Sequence, residues 1–522
     1  MHLKVFAPNV ASFGYGLFLA INATSVWGGS FPLLPLDIQG FELLATFSFA
    51  QSSAFCCSFL ICVLGAYGIP HFTERIPIMG CTALFFLGSI SLIAPLYVPN
   101  LMLLLIIAGG VLLGVGSAGL LALWQQVFAS QKADRGGLNI IMGTAISALV
   151  YVALHAIPFA VAAFMIAFVF VPLSCLCLIL ATRSVNWLQP MFKDDPRHNR
   201  QVYQLALGNL WRSALCVGGL TFLDGVTRAL ALDDPSHGTV VNLLAMGGAL
   251  IACFALVILW RRYSFRFDTI LSFRTIFPLV STSLLALPLL GMSYLQVLSG
   301  ILHMFSTFAI MIMMIQCAQT SRNNGINPIF IYGFFGLIVF SLQSSGFLSG
   351  YISSLFIAPG FPQLAIVALF STWLLALVLY CVRGRIQGGA SELQERWNME
   401  SIEFIALGPP PPVDVDARAK KPDPAWAQLI HLRDPHDETS APVSDEHYRD
   451  RLAKQCVAVA HTYRLSAREA EIAEFLARGN SVAHIAKTLV ISENTVRFHS
   501  KNLYMKLNIH KRQDLVELLE EM

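Results

Sequence analysis

Basic side chains concentrate in a short stretch near the end of the chain. Between Asn494 and Arg512 the sequence contains five basic residues and no acidic one. The basic residues are Arg497, Lys501, Lys506, Lys511 and Arg512. Val496, Leu503 and Leu507 recur at helical spacing, so that a helix here would bury one side and present cations on the other. A local positive face of this kind attracts the phosphate groups of a nucleic acid.

Ionisable residues inside strongly apolar stretches form a second group with chemical potential. They are Arg212, Asp224, Arg274 and His303. A charged side chain in lipid is costly and often marks a functional site. In one interpretation Asp224 pairs with Arg228 one helical turn later, and the other two arginines extend toward the membrane surface. In another, one or more of the four line a pocket for an anionic small molecule. A proton relay is a third interpretation, against which the absence of a second deep carboxylate counts.

The apolar stretches are typical of membrane-spanning helices. Hydrophobic residues make up 56% of the 522 residues and charged residues 12%, whereas soluble proteins carry about 25% charged residues. A helix needs about 20 mostly apolar residues to cross a bilayer. About twelve such segments lie near 8–28, 43–66, 76–97, 101–124, 138–156, 158–182, 205–228, 239–260, 270–290, 293–317, 328–351 and 362–382. We therefore predict an all-α membrane domain over residues 1–384, in contact with the lipid bilayer.

The charges of the connecting segments predict the orientation of this domain. Counted alternately from the N-terminal side, one set of connections holds nearly all the basic residues, and the other set holds only Arg228. The first set contains Arg75, Lys132, Arg135, Arg183, Lys193, Arg197, Arg200, Arg261, Arg262, Arg266, Arg322, Arg383 and Arg385. Loops rich in Lys and Arg stay in the cytoplasm. We expect a multi-pass protein of the plasma (inner) membrane with both termini in the cytoplasm.

The longest internal polar connection, residues 182–204, separates six predicted segments from six. This layout over residues 1–384 resembles the major facilitator superfamily of transporters. The superfamily's G-x-x-x-D-R-x-G-R signature between its second and third segments has no full counterpart here. The corresponding loop reads "GAYGIPHFTERIPIMG", with Glu74-Arg75 followed by Ile76 and Pro77. The resemblance implies a bundle of six plus six helices.

After residue 384 the composition becomes polar. Residues 385–443 include a run of four prolines, Pro409 to Pro412, and lack periodic apolar positions. Chains of this composition form flexible, semi-stiff tethers. We predict a cytoplasmic linker over residues 385–443 and a second domain over residues 444–522, whose first helix is capped by Ser444.

Capping residues divide most of the second domain into short helices. Ser466 and Glu469 form a capping box, and Gly479 ends the helix that this box opens. Ser481 opens a short second helix, and Ser492 opens a longer third one. A short helix joined by a tight turn to a longer one is typical of a helix-turn-helix, whose second helix enters the major groove of DNA.

The segment 464–518 resembles the LuxR/FixJ/GerE helix-turn-helix family. The shared motif positions are Leu465, Arg468, Glu469, Glu471, Ile472, Gly479, Ser481, Ile485, Ala486, Leu489, Ile491, Ser492, Thr495, Val496, His499, Leu503, Lys506 and Leu507. The resemblance implies binding to double-stranded promoter DNA, as a homodimer on a pseudo-palindromic site. By motif position, the residues that would face the bases are Arg497, Phe498 and Lys501. Those that would contact or position phosphates are Lys487, Ser492, Asn494, Thr495, His499 and Lys506.

A fourth helix follows with apolar residues Leu515, Leu518 and Leu519. In the resembled family this helix assists dimerisation, so the three leucines are candidates for a dimer interface. Internal packing of the same residues is the alternative.

Together these features predict a membrane-tethered transcription regulator in a single chain. The membrane domain would bind a small molecule, and the C-terminal domain would bind DNA in a sequence-specific manner. The alternative is a major-facilitator-type transporter with a regulatory DNA-binding tail. We find no phosphate loop, metal-ligand set or nucleophile constellation in the sequence, so we expect neither an enzymatic activity nor a cofactor.

Overall fold

The computed structural model describes residues 9–23, 40–69, 72, 76–187, 189–194, 196–197, 199–231, 235–262, 265–356, 361–383, 401–404, 430–432, 455–456, 459–460, 462–489 and 491–521. The predicted cap at Ser444, the loop residues Glu74 and Arg75, and most of the predicted linker lie outside these ranges.

Long apolar helices make up the described part of the membrane region. They are α1 (Val10–Asn22), α2 (Phe41–Gly68), α3 (Ile78–Ile93), α4 (Met102–Ser130), α5 (Ala133–His155), α6 (Phe159–Met165), α7 (Val171–Arg183), α8 (Pro190–Lys193), α9 (Arg200–Ala231), α10 (Pro235–Arg262), α11 (Thr269–Asn324), α12 (Pro328–Phe356) and α13 (Phe361–Arg383). A π-helical turn, Ile166–Phe170, joins α6 to α7. Among the described residues, ten helical segments are long and apolar enough to cross a membrane.

Those ten segments account for eleven of the twelve predicted ones, because α11 contains two. The remaining predicted segment coincides with α1, which is apolar but shorter in its described part. The small helix α8 lies in the polar connection between the two groups of six. The predicted all-α membrane domain is thus confirmed in its helices.

Helix α11 folds back on itself at Gly291. Its apolar part runs for 53 residues, which at 1.5 Å per residue is more than twice the thickness of a hydrocarbon core of about 30 Å. Gly291 has φ 74° and ψ −162°, a conformation that favours glycine. Phe273 and Ile276 before the break line the same cleft as Phe308 and Ile312 after it. Because these pairs lie at similar distances from Gly291 along the chain, the two arms are antiparallel.

Small residues let helices of the bundle approach closely. A Cβ atom on Gly346 of α12 would overlap the carbonyl oxygen of Phe222 on α9, and one on Gly225 would overlap that of Gln343. Gly114 on α4 plays the same part against the backbone of Gln51 on α2. Close backbone approach through small residues is the usual way that helices associate in lipid. Gly225 brings α9 against α12, so Asp224, the residue before it, also lies close to α12.

A small three-stranded sheet lies beside the α10–α11 connection. Its strands are β1 (Phe265–Asp268), β2 (Ser401–Phe404) and β3 (Ile430–Leu432), in the order β2-β1-β3. Both outer strands pair antiparallel with β1. Since β2 and β3 belong to the segment predicted as a linker, these two stretches are attached to the membrane domain through backbone hydrogen bonds. The composition of the linker did not predict them.

The C-terminal domain has its own hydrophobic core. Its helices are α14 (Ala467–Ala477), α15 (Val482–Thr488), α16 (Glu493–Leu507) and α17 (Arg512–Glu521). Ile472, Ile485, Val496 and Leu503 are fully buried in this core. Cys456 from the chain before α14 is buried with them. A separate core indicates that the domain can fold without the membrane region.

Candidate nucleic-acid interface and intramembrane polar cluster

The caps predicted from the sequence position the helix-turn-helix. The Ser466 hydroxyl accepts a hydrogen bond from the Glu469 amide (3.3 Å), and the Glu469 carboxylate accepts one from the Ser466 amide (2.7 Å). The Ser481 hydroxyl accepts from the His484 amide, and the Ser492 hydroxyl accepts from the Thr495 amide (3.1 Å). These bonds satisfy the free N–H groups at each helix start, so α15 and α16 begin at fixed residues.

Two further features fix the angle between the helices. Gly479, with φ +94°, ends the first helix in the left-handed conformation expected of a terminating glycine. The guanidinium of Arg468 donates to the Leu489 carbonyl at the end of α15 (3.3 Å) and pairs with Glu471 (2.7 Å). Arg468 therefore links the first helix to the turn that precedes α16. Arg468 is one of the shared motif positions, and its contact with Leu489 depends on how the helices pack, which the motif alone does not specify.

The three residues predicted to face bases share the exposed side of α16. Arg497, Phe498 and Lys501 are all exposed, and Phe498 leaves 61% of its surface uncovered. Met505, which the sequence analysis did not select, lies two turns beyond Phe498 and is 63% exposed. Large apolar side chains this exposed on a helix with a well-packed opposite side indicate a contact surface. Its i, i+7 spacing from Phe498 was the available signal for Met505.

The remaining predicted DNA residues are distributed around this face. Lys487 on α15 and Asn494 on α16 are exposed. Ser492 and Thr495 bond to each other through their hydroxyls at 2.8 Å. His499 is partly buried, and its ring lies 5.6 Å from that of Phe498. Arg497 makes an exposed ion pair with Glu493 (3.3 Å), and such surface pairs contribute little and are easily exchanged for a phosphate or base contact.

Lys506, which the sequence predicts to contact a phosphate, also makes contacts within the domain. Its ammonium group lies 2.6 Å from a carboxylate oxygen of Glu469 and 3.4 Å from the Arg464 carbonyl oxygen. Glu469 is itself buried. Burial alone would raise the pKa of Glu469, but hydrogen bonds from Lys506 and Ser466, together with the charge of Lys506, hold that pKa below its usual range. Lys506 therefore stabilises the capping box of α14 from 37 residues away.

Replacing Glu469 with glutamine is expected to lower the stability of the domain by about 1 to 3 kcal/mol at neutral pH, because a charge-assisted hydrogen bond is lost. A carboxylate with a lowered folded pKa stabilises the protein above its unfolded pKa of about 4.3, and this contribution is lost as the pH falls through the folded value. Denaturation of fragment 444–522 between about pH 6 and pH 3 should therefore show a smaller loss for E469Q than for the wild type. The exposed Glu471→Gln is the matched control, and equal pH dependence in wild type and E469Q would contradict the assignment.

The leucines proposed for dimerisation divide into two groups. Leu515 and Leu519 are 0% and 1% exposed and belong to the core of the domain. They are therefore internal packing residues, and the prediction that they form a dimer interface is corrected by their burial. Leu518 is partly buried against the same core.

In the membrane region, three predicted ionisable residues meet in one buried cluster. Asp224 on α9 and His303 on the second arm of α11 are 0% and 5% exposed. Nδ1 of His303 lies 3.2 Å from Oδ2 of Asp224 and 3.3 Å from Nη1 of Arg228. The sequence suggested a direct pair between Asp224 and Arg228, whereas the imidazole lies between the carboxylate and the guanidinium. Nδ1 can serve Asp224 as a donor or Arg228 as an acceptor, but not both at once.

Neutral polar groups complete the cluster. Ser306 donates to Oδ2 of Asp224 (3.2 Å), and the Gln343 amide approaches the same oxygen (3.4 Å). Arg228 donates to the side-chain oxygen of Asn242 on α10 (2.7 Å). The cluster thus joins α9, α10, α11 and α12. Buried charges of opposite sign with hydrogen bonds of this kind tolerate burial that an isolated charge would not.

Arg212 and Arg274 lie apart from this cluster. Arg212 precedes Asp224 by about three turns of α9, and its guanidinium lies 5.8 Å from the centre of the Trp211 ring. Arg274 is partly buried on the first arm of α11. Among the described residues, neither belongs to the hydrogen-bonded set around Asp224, so the four predicted candidates do not form a single site.

Comparison with known proteins identifies the C-terminal domain. Residues 463–519 match the family of bacterial regulatory proteins, luxR family (GerE). These residues form a LuxR-type helix-turn-helix DNA-binding domain, which confirms the resemblance inferred from the sequence motif. No protein of curated function matches the chain in sequence.

Solved structures similar to the chain include membrane transporters. One is a bacterial homologue of the iron transporter ferroportin in the outward-facing state with soaked iron, with 13% identity and a TM-score of 0.49, covering 73% of this chain and 100% of that one. Another is the major facilitator superfamily transporter FucP in the outward conformation, with 13% identity and a TM-score of 0.45, covering 73% and 98%.

Proposed function

We propose that this protein is a membrane-tethered transcription regulator that combines a small-molecule sensor and a DNA-binding domain in one chain. The observation that carries the proposal is the presence of a LuxR-type domain with an exposed basic α16 on the same chain as a bundle of apolar, membrane-length helices. The domain binds promoter DNA as a homodimer, because paired half-sites double the contacts that one helix can make.

The proposal places both termini in the cytoplasm, with the bundle in the plasma (inner) membrane. A DNA-binding domain requires access to the chromosome, and the predicted alternation of basic connections supports the same orientation. Reporter fusions at residue 383 and at the C-terminal end, one active only in the cytoplasm and one only outside it, test this placement. Activity of the outside reporter at either position would refute the orientation.

The buried cluster around Asp224 and His303 is the proposed sensing element. Its members come from four helices, so a ligand or a proton that changes the partner of His303 also changes the contacts between those helices. The imidazole has two mutually exclusive partners within 3.3 Å. A ligand that binds one of these two arrangements of His303 more tightly than the other shifts the bundle toward that arrangement.

The three-stranded sheet supports a route from the bundle to the DNA-binding domain. β1 ends at Asp268 and α11 begins at Thr269, so the strand continues directly into the first arm of α11, and the second arm of the same helix carries His303. β2 and β3, which precede the DNA-binding domain in the chain, pair with β1 on both sides. Movement of α11 would reach the tether through these strands. A fully flexible tether would transmit such a movement poorly.

Chromatin mapping with the intact protein, together with transcript profiles of a deletion strain, tests the proposed function. We expect a small set of bound promoters whose transcripts change on deletion. Loss of residues 385–522 should abolish the bound sites and leave the bundle in the membrane. A chain that occupies no promoter would overturn the proposal.

A transporter with a regulatory tail is the second candidate, and the cluster of ionisable residues inside the bundle favours keeping it, because such residues often line ion or substrate pathways. It predicts substrate flux in proteoliposomes that survives deletion of residues 385–522. Flux that is present with and without the tail, and unaffected by DNA, would favour this candidate over the sensor.

A further inference from the structure

A second buried polar group lies between the two halves of the bundle, away from the charge cluster. Tyr15 on α1 packs its ring against Phe128 on α4 (4.9 Å between centroids) and against Trp124 (5.9 Å). From the other half, Met314 on α11 accepts hydrogen bonds from the Tyr15 hydroxyl (3.1 Å, through its sulfur) and from the Gln125 amide (3.0 Å, through its carbonyl). These two bonds join the halves at this level.

Tyr332 on α12 belongs to the same group. It is fully buried, and it lies within electrostatic range of Tyr15 and Cys317. Its ring is also 5.8 Å from that of Phe59 on α2. We call Tyr15, Trp124, Gln125, Met314 and Tyr332 the aromatic box. Tyr332 lies near the start of α12, and the residues on α4 and α11 lie near the ends of those helices, which places the box toward one end of the bundle. Asp224 and Arg228 lie near the end of α9.

Three polar atoms of the aromatic box are buried without a hydrogen-bond partner among the described residues. They are the indole Nε1 of Trp124, the amide oxygen of Gln125 and the hydroxyl of Tyr332. The three side chains are 0% exposed. A buried polar group without a partner costs free energy, and most proteins avoid it unless the group has a role. Among the described residues, Trp124 and Gln125 on one side of the seam thus leave a donor and an acceptor unpaired, and Tyr332 on the other side leaves a hydroxyl unpaired.

We propose that the aromatic box is a binding site for a neutral aromatic molecule that carries a hydrogen-bond donor and acceptor, such as a phenol or an aromatic amide. The inference rests on the proposed function and deepens it: it supplies the class of small molecule that binds the bundle, at a place separate from the cluster around Asp224 and His303 that responds to binding. The rings of Tyr15, Trp124 and Phe128 pack on one another, with Trp124 and Phe128 stacked at 5.9 Å, and a planar molecule would extend this set. The three unpaired atoms suit one hydroxyl and one carbonyl or amide group.

The class of the ligand follows from the charges of the site. The described side chains that form the aromatic box carry no formal charge, so an ion would enter an apolar setting without a counter-charge. Opening of the seam at this level would break the two hydrogen bonds to Met314. The ligand would then pair the three atoms that are unsatisfied in the closed arrangement and bridge the two halves.

Calorimetric titration of the full-length protein in lipid nanodiscs tests the site with para-hydroxybenzamide and indole as probes. We expect saturable binding of at least one probe, and weaker binding of the anionic para-hydroxybenzoate. Tyr332→Phe and Trp124→Phe should each reduce affinity by about 2- to 10-fold, as expected for the loss of one hydrogen bond. Tyr380→Phe and Trp373→Phe, at exposed positions, should leave affinity unchanged.

Thermal unfolding of the ligand-free protein distinguishes a binding role from a structural one, because loss of a structural contact would lower the melting temperature. Tyr332→Phe removes an unpaired buried hydroxyl, so its melting temperature should be equal to or above that of the wild type. Tyr15→Phe removes a hydroxyl that bonds to Met314, so its melting temperature should fall. Absence of saturable binding by both probes, equal affinity for the anionic probe, or unchanged affinity in both box variants would overturn the site. These measurements involve no DNA, so a failure of promoter binding would refute the proposed function while leaving the site intact.

Discussion

The double substitution Arg497→Ala with Lys501→Ala is expected to abolish sequence-specific DNA binding by the C-terminal domain. Both side chains project from the exposed side of α16. A well-placed Arg or Lys contact to guanine contributes about 1 to 3 kcal/mol of discrimination. Loss of both should weaken binding to the promoter by on the order of 100-fold or more. Gel shifts with fragment 444–522 at a stated salt concentration measure this effect.

The matched control is Arg478→Ala, which removes a positive charge from α14, where Arg478 pairs with Glu474 at 2.8 Å. It should bind the promoter nearly as well as the wild type. Lys487→Ala is expected to weaken binding to all sequences alike and to reduce the slope of affinity against salt by about one. Shifts by the double variant that match those of the wild type would refute the assignment of α16 as the recognition helix.

Replacing Asp224 with asparagine is expected to destabilise the membrane domain by about 3 to 5 kcal/mol, because the Arg228 guanidinium would remain buried without an opposite charge. Asparagine has nearly the same volume, so the effect isolates the charge from the packing. Denaturant unfolding of the full-length protein in detergent micelles measures the loss. The exposed Asp134→Asn on α5 is the control, and it should change stability by less than about 0.5 kcal/mol.

A double-mutant cycle separates pairing from general disruption. If the two charges compensate each other, D224N combined with Arg228→Gln should cost less than the sum of the single substitutions. Additive losses would mean that Asp224 and Arg228 act independently. A D224N protein as stable as D134N would show that the negative charge of Asp224 does not stabilise the folded state.

Features that depend on neighbouring residues could be predicted from the sequence. The caps at Ser466, Ser481 and Ser492 and the glycine stop at Gly479 are local hydrogen bonds and backbone angles, and the structure contains each of them. The membrane segments could also be predicted, because a run of apolar residues is itself the physical requirement for crossing lipid. Even the reversal within α11 was predicted as a boundary between two segments.

Features that depend on distant pairing could not. His303 lies 79 residues from Asp224, and only the packing of α11 on α9 places its imidazole beside the carboxylate. The same holds for Lys506 and Glu469, whose contact crosses the domain. For Leu515 and Leu519, an amphipathic pattern marks the buried side of a helix without specifying whether the partner is the same chain or another. The β2 and β3 strands are too short to leave a periodic pattern.

The sharp reversal of α11 at Gly291 has a consequence for how the chain is made. Leu289, Leu290 and Met292 around the turn are 80%, 58% and 47% exposed, and all are apolar. No polar loop separates the two arms, so they form one continuous apolar segment when the chain is synthesised. Two arms joined by an apolar turn can insert as one helical hairpin without a hydrophilic segment crossing the bilayer.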